Sequence, residues 1–184
     1  MIYPVTVFGD PVLRKIAVPI TADFKNINGF IQNMFETMYN SDGVGLAAPQ
    51  VGQSIRVFIL DTIIDDEDEE PTGIKRAFIN PEIIEKYGEE WSMNEGCLSV
   101  PEIREDVFRP ESVRVKYQDE KFVEHEESFS GFTARVIQHE YDHLEGIMFV
   151  DYLNPLKKRM LKSKLTAISK GKVIPKYKIK IPGK

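Results

Sequence analysis

His139 and His143 stand four residues apart, with Glu140 beside the first, in a stretch patterned as a helix. Phe132, Arg135, Val136, His139 and His143 fall on one stripe. A helix is therefore expected from Gly131 to about Leu144, with Gly146 as its stop. Residues at i and i+4 share a helix face one turn apart, so both imidazoles can reach one metal at about 2.0–2.1 Å. Glu140 projects at a different angle and suits a general base beside the metal rather than a ligand.

Two histidines need a third protein ligand if one position is to stay open for water. Downstream, Glu145 is too near His143 to be a separate ligand, and nothing marks out Asp151. Upstream stands Cys97, within Glu95-Gly96-Cys97-Leu98-Ser99-Val100-Pro101. A thiolate suits zinc or ferrous iron. A lone cysteine is more often a small buried hydrophobe. Here Gly96 and Pro101 point to a shaped loop, and the ligand reading is preferred. Cys97 is the sole cysteine, which excludes an internal disulfide and any zinc site built from two cysteines of this chain.

Two histidines and a cysteine would lower the pKa of a metal-associated water towards ~7, with Glu140 positioned to take its proton and pass it to a leaving amine. That is hydrolysis of an amide or related carbonyl. The developing oxyanion needs further donors. The side-chain amide of Gln50 and the backbone N–H of Leu98 are the candidates.

The 184 residues suit one domain, and 42% hydrophobic with 29% charged residues is ordinary globular composition that argues against disorder. Tyr3-Pro4-Val5 and its neighbours show no secretory signal, and no run approaches the ~20 apolar residues that cross a bilayer. A reducing cytoplasm is expected. The net charge of −5 hides an asymmetry: positions 156–184 hold eleven of the 24 basic side chains and none of the 29 acidic ones. The acidic body should repel nucleic acid, whereas the basic end could approach phosphates.

Phe24, Ile27, Phe30, Ile31, Met34, Phe35 and Met38 recur at helical spacing, predicting a helix from Phe24 to Tyr39 capped by Asp23. Gly43-Val44-Gly45-Leu46-Ala47-Ala48-Pro49-Gln50 reads as a tight loop entering a strand at Ile55–Leu60. Asp65–Glu70 reads as a solvated acidic loop. Short strands are expected at Arg76–Ile79, Ile83–Tyr87, Ser112–Tyr117 and Phe122–Phe129, with a turn at Gln118–Lys121. A last helix should span Asn154 to Ser169, followed by a late strand or extended tail. The class is α+β, with mostly antiparallel sheets around the histidine-bearing helix, a C-terminal helix and an extended tail. Residues 1–155 form the catalytic region, and 156–184 a basic helix and tail of the same domain. His125, in a charged strand, reads as a surface residue.

The segments Gly43–Gln50, Glu95–Ser99 and Gln138–His143 resemble, in order and spacing, those of the peptide deformylases, a likeness running from about Val7 to Asn154. The resemblance implies removal of the formyl group from N-terminal formylmethionine of nascent bacterial polypeptides, with release of formate. It implies Cys97, His139 and His143 as metal ligands, Glu140 as acid/base, and Gln50 with the Leu98 amide as oxyanion holders. Gly45 would bond the substrate backbone, lying as an added strand. Val44, Phe132 and Val136 match positions near the methionine pocket, and Arg104 a position that contacts substrate backbone. For each, plain core or an exposed loop arginine is the competing reading. Glu95 is expected to fix a loop. Fe²⁺ is the metal implied, one per chain, with Zn²⁺, Ni²⁺ or Co²⁺ able to substitute. Formylmethionyl nascent peptides are the implied substrate. The basic C-terminal segment is expected to dock on ribosomal RNA near the nascent-chain exit, and neither DNA nor a membrane is expected as partner. A metal-dependent endopeptidase and a ribosome-associated binding protein are the competing functions. The first would want a third ligand downstream, and the second a replaced base or ligand.

Overall fold

The computed structural model describes residues 1–63 and 72–183. The acidic block Asp65–Glu70 lies outside the described residues. Strand β1 (Val5–Thr6) opens the chain, and helix α1 (Ile27–Asn40) buries Ile27, Ile31, Met34 and Met38, the stripe that its periodicity dictates. The helix starts later than Phe24. The Phe24 N–H closes a turn onto the Thr21 carbonyl at 2.9 Å, and Asn26 adopts left-handed backbone (φ 59°), so Asn26 rather than Asp23 precedes the first helical turn.

The glycine-rich segment is not wholly loop. Gly45–Ala47 forms strand β2, antiparallel to β3 (Val57–Asp61), and Ala48–Val51 makes a 3-10 turn. Two long strands follow, β4 (Lys75–Cys97) and β5 (Val100–Gln118), where several short ones were expected. Their pairing shifts register between Ile79 and Glu82, Ile83 and Glu85, Tyr87 and Glu90, and Gly96 and Cys97. Asn80 and Gly88 sit there with positive φ. A bulge bends a ribbon without ending it, so these turn-type residues mark kinks in one hairpin rather than strand ends. Cys97 consequently closes a strand at the hairpin tip, opposite Val100, instead of lying in an open loop. Strand β6 (Glu124–Ser130) completes an antiparallel sheet of order β2-β3-β4-β5-β6. His125 stacks on Tyr117 and bonds Asp119 at the half-exposed end of β6.

Helix α2 (Gly131–Leu144) packs on this sheet, with Ala134, Val136 and Ile137 against Phe58, Phe78, Val113 and Val115. Phe58 and Phe78 stack with ring centres 4.7 Å apart. Helix α3 (Pro155–Ser169) has Pro155 in its first turn and the Asn154 side chain accepting from the Lys157 N–H at 2.9 Å. Its buried Leu161 and Ile168 join Val7, Leu13, Val100 and Phe149 in a second core, each burial stabilising by roughly 1.5–3 kcal/mol. The chain then returns to the body, and strand β7 (Ile179–Lys180) pairs in parallel with β1. The architecture is α+β, mostly antiparallel, with α2 at its centre and a C-terminal helix and tail. Among the described residues no helix is long and apolar enough to cross a membrane.

Candidate active site

Three elements converge on one point. The β4–β5 hairpin tip brings Cys97, one turn of α2 brings His139 and His143, and β2 with its 3-10 turn brings Gly45 and Gln50. The ligand atoms of Cys97, His139 and His143 all lie within 4.8 Å of one another, and Cys97 Sγ is 3.3 Å from His143 Nε2. Bonds of about 2.0–2.3 Å at a tetrahedral centre separate donors by roughly 3.3–3.8 Å, so the trio has the span and the N/S chemistry of a zinc or ferrous site. His139 Nδ1 donates to Glu95 at 3.0 Å, which leaves Nε2 as its remaining ligand atom.

Glu95 does more than fix a loop. It lies in β4, two residues before Cys97. Its buried carboxylate also accepts from Arg109 Nε at 2.7 Å and from Arg135 at 3.0 Å, and Arg109 reaches on to Asp142 at 2.7 Å. Burial alone would raise the Glu95 pKa. The hydrogen bonds from His139 and Arg109 outweigh it and hold the carboxyl well below the usual carboxylate range. No role was assigned from sequence to Arg109 or Asp142, and Arg135 was read only as part of the α2 stripe. For Arg109 the alternation along β5 was the available signal, but bulges in the ribbon interrupt it.

Glu140 is buried on α2, and its Oε2 has no hydrogen-bond partner among the described residues. Burial pushes its pKa up to about 7, with the nearby charges of Glu95 and Asp142 adding and those of His139 and Arg109 opposing. Burial would lower His139 too, but its bonds to Cys97 and Glu95 raise it well above the usual imidazole value. His143 is lowered by burial and by the charges of His139 and Arg109.

Gly45 passes directly against Glu140: a Cβ there would stand 2.4 Å from Oε1. Gln50 is buried. Its Oε1 accepts from the Ala47 N–H at 2.8 Å, which turns Nε2 towards Cys97 Sγ at 3.5 Å and Ser99 Oγ at 3.2 Å. A cavity of about 770 Å³ opens over these groups. Val44, Leu98, Arg104, Phe132 and Val136 all line it with Gly45, Gln50, Cys97, His139 and Glu140, and His143 joins them through the ligand trio. Arg104 sits at the rim, its guanidinium held by the Asn94 side chain at 3.0 Å and the Asn94 carbonyl at 2.9 Å, across from Gly96.

The chain matches the family described as polypeptide deformylase over residues 2–159. It belongs to that family. It is 52% identical over 190 residues to the peptide deformylase of Christiangramia forsetii, covering 99% of this chain and 97% of that one. With the enzyme of Chlorobium limicola it shares 44% over 184 residues, covering 100% and 98%. The crystal structure of a peptide deformylase from Legionella pneumophila superposes with a TM-score of 0.81 at 39% identity, covering 94% of this chain and 98% of that one. The Thermotoga maritima structure gives 0.73 at 46%, covering 84% and 99%. The activity is the family's: metal-dependent hydrolysis that removes the N-formyl group of nascent polypeptides and releases formate.

Proposed function

We propose that Cys97, His139 and His143 hold the catalytic metal of this deformylase, and that Glu140 is its proton carrier. The mutual approach of the three ligand atoms within 4.8 Å carries this reading. When bound, the metal polarises the attacking water and the formyl carbonyl. Fe²⁺ is the metal proposed, since thiolate with imidazole suits it, and Zn²⁺, Ni²⁺ or Co²⁺ would fit the same donors.

Glu140 takes a proton from the attacking water at Oε2, the oxygen without a partner, and delivers it to the leaving methionine nitrogen as the C–N bond breaks. Burial raises the Glu140 carboxyl above the usual carboxylate range, which suits a group that both takes up and returns a proton. The Gln50 amide and the Leu98 N–H stabilise the oxyanion, with Gln50 pre-oriented by Ala47. Gly45 offers backbone to a peptide laid alongside β2, and Val44, Phe132 and Val136 form an apolar wall for methionine. Arg104 contacts the substrate backbone from the rim. The test is formate release from formyl-Met-Ala-Ser by metal-loaded protein. Glu140→Gln should abolish it while metal content stays, and Cys97→Ser should lose the metal. Activity surviving Glu140→Gln would overturn this assignment.

Residues 156–184 belong with 1–155 in one domain on this reading, since Leu161 and Ile168 sit in a shared core. The exposed basic side of α3 is proposed to dock on the ribosome near the nascent-chain exit, where phosphates would meet Arg159 and Lys162. Arg159→Glu with Lys162→Glu should reduce co-sedimentation with ribosomes at low salt, and unchanged co-sedimentation would end the docking idea. The compartment proposed is the cytoplasm, where nascent formylated chains are made and a ligand thiol stays reduced.

A further inference from the structure

The tail after α3 does not run off the surface. Gly171 turns it with left-handed backbone (φ 66°), packed so closely on Ile181 that a Cβ would stand 2.2 Å from its Cδ1. The Val5 N–H bonds the Lys178 carbonyl at 2.8 Å, and Val173 and Ile179 pack on the second core. Between these anchors the Tyr177 hydroxyl donates to the Leu98 carbonyl at 2.7 Å, which pins the chain to the hairpin tip beside Cys97. Ile174, Pro175, Lys176 and Tyr177 thereby line the same cavity as Cys97 and Glu140.

Ile174 is 88% exposed, the most exposed large hydrophobic among the described residues, and Val44, which lines the same cavity, is 45% exposed. Single exposed apolar side chains need no explanation, but two that face one cavity on anchored backbone form an apolar surface awaiting a ligand. The family model ends at residue 159, while the relatives align on through the tail.

We propose that Ile174–Tyr177 is a wall of the substrate cleft that binds the peptide from the second residue after formylmethionine onward, with Ile174 as the apolar contact and Tyr177 as the anchor. This rests on the reading of the Cys97–His139–His143 cleft as the deformylating centre. The tail then sets preference for extended over minimal substrates, because a dipeptide ends before reaching it.

The test compares kcat/KM of the metal-loaded full chain for formyl-Met-Ala-Leu and for formyl-Met-Ala. Ile174→Ser should lower the tripeptide-to-dipeptide ratio about fivefold, mainly through KM of the tripeptide, the size expected for a partly buried aliphatic contact. Tyr177→Phe should lower the same ratio by releasing the anchor. A ratio unchanged in Ile174→Ser overturns the proposal. So does an equal fall for both substrates through kcat, which would mark a general structural effect. No formate release by the wild-type chain from either peptide overturns the reading of the cleft itself, and this proposal with it.

Discussion

His139 Nδ1 donates to Glu95 at 3.0 Å across 44 residues of chain, and the same carboxylate is gripped by Arg109 and Arg135. The bond fixes the imidazole tautomer and aims Nε2 at the side where Cys97 and His143 lie. Such an outer partner raises ligand basicity and holds ring orientation.

Glu95→Gln keeps the shape but removes the charge. Apparent metal affinity should fall about 10–100-fold, the usual effect of losing a partner of this kind. The buried Arg135 would also lose its counter-charge, while Arg109 would keep Asp142, and breaking a buried pair of this kind costs about 3–5 kcal/mol. Competition with a chromophoric chelator reads the first effect, and urea unfolding of the metal-free protein reads the second. Wild-type metal affinity in the variant would show that Glu95 serves the arginines alone.

The site was legible because its chemistry sits in short local patterns. The i, i+4 histidines, the carboxylate between them and the helix bounds Gly131–Leu144 need no long-range information. The ribbon was less so. Asn80, Pro81 and Gly88 look like strand breakers, and only pairing with a second long strand turns them into bulges. The Gly43–Gln50 segment looks like a loop until β3 supplies partners for Gly45–Ala47. Glu95 could be read only as a local fixture, since Arg109, Arg135 and His139 reach it from other elements. The return of the tail depends on parallel pairing with the opposite end of the chain, which no local pattern encodes.

Gly45→Ala places a methyl group 2.4 Å from Glu140 Oε1 and 2.8 Å from its Cδ. The backbone there needs no glycine for its own conformation, so the collision falls on the carboxylate. Glu140 must swing away from the reacting atoms, and displacement of about 1 Å can cost ~10²-fold in rate. The expected outcome is a kcat/KM for formyl-Met-Ala-Ser near one-hundredth of wild type, with metal content retained by elemental analysis. A variant of full activity would mean that the base tolerates the shift.

The Tyr117 hydroxyl donates to Glu127 and lies beside Arg76, each at 2.5 Å. Burial, with the Glu127 hydrogen bond adding, pushes its phenol up to about 12, so the folded state holds a proton that the unfolded chain releases near pH 10. The contribution is full below pH 10 and is lost as pH rises from 10 to 12, an upper bound of about 3 kcal/mol. Urea unfolding at pH 8, 10 and 11.5 should show stability falling over the last interval. Tyr117→Phe should lessen that fall by this phenol's share, the half-buried Tyr152, likewise raised to about 12, supplying part of the rest. An equally steep fall in the variant would place the alkaline sensitivity elsewhere.

Removing the metal should lower the melting temperature, because an ion that binds only the folded trio stabilises it by mass action. At a free metal concentration 100 times Kd that is about 2.7 kcal/mol. For a domain of this size it corresponds to roughly 5–10 °C. Excess EDTA against metal-loaded protein, followed by differential scanning fluorimetry, should show a drop of that order. Cys97→Ala separates two explanations. If the thiol is a ligand, the variant melts near the EDTA-treated wild type and no longer responds to EDTA. If Cys97 only fills space beside His143, the variant keeps its metal and its EDTA response, with only a small loss from the missing sulfur. The 3.3 Å approach of Sγ to His143 Nε2, with His139 completing the trio, favours the first outcome, since a thiol placed only for packing has no need to face two imidazoles.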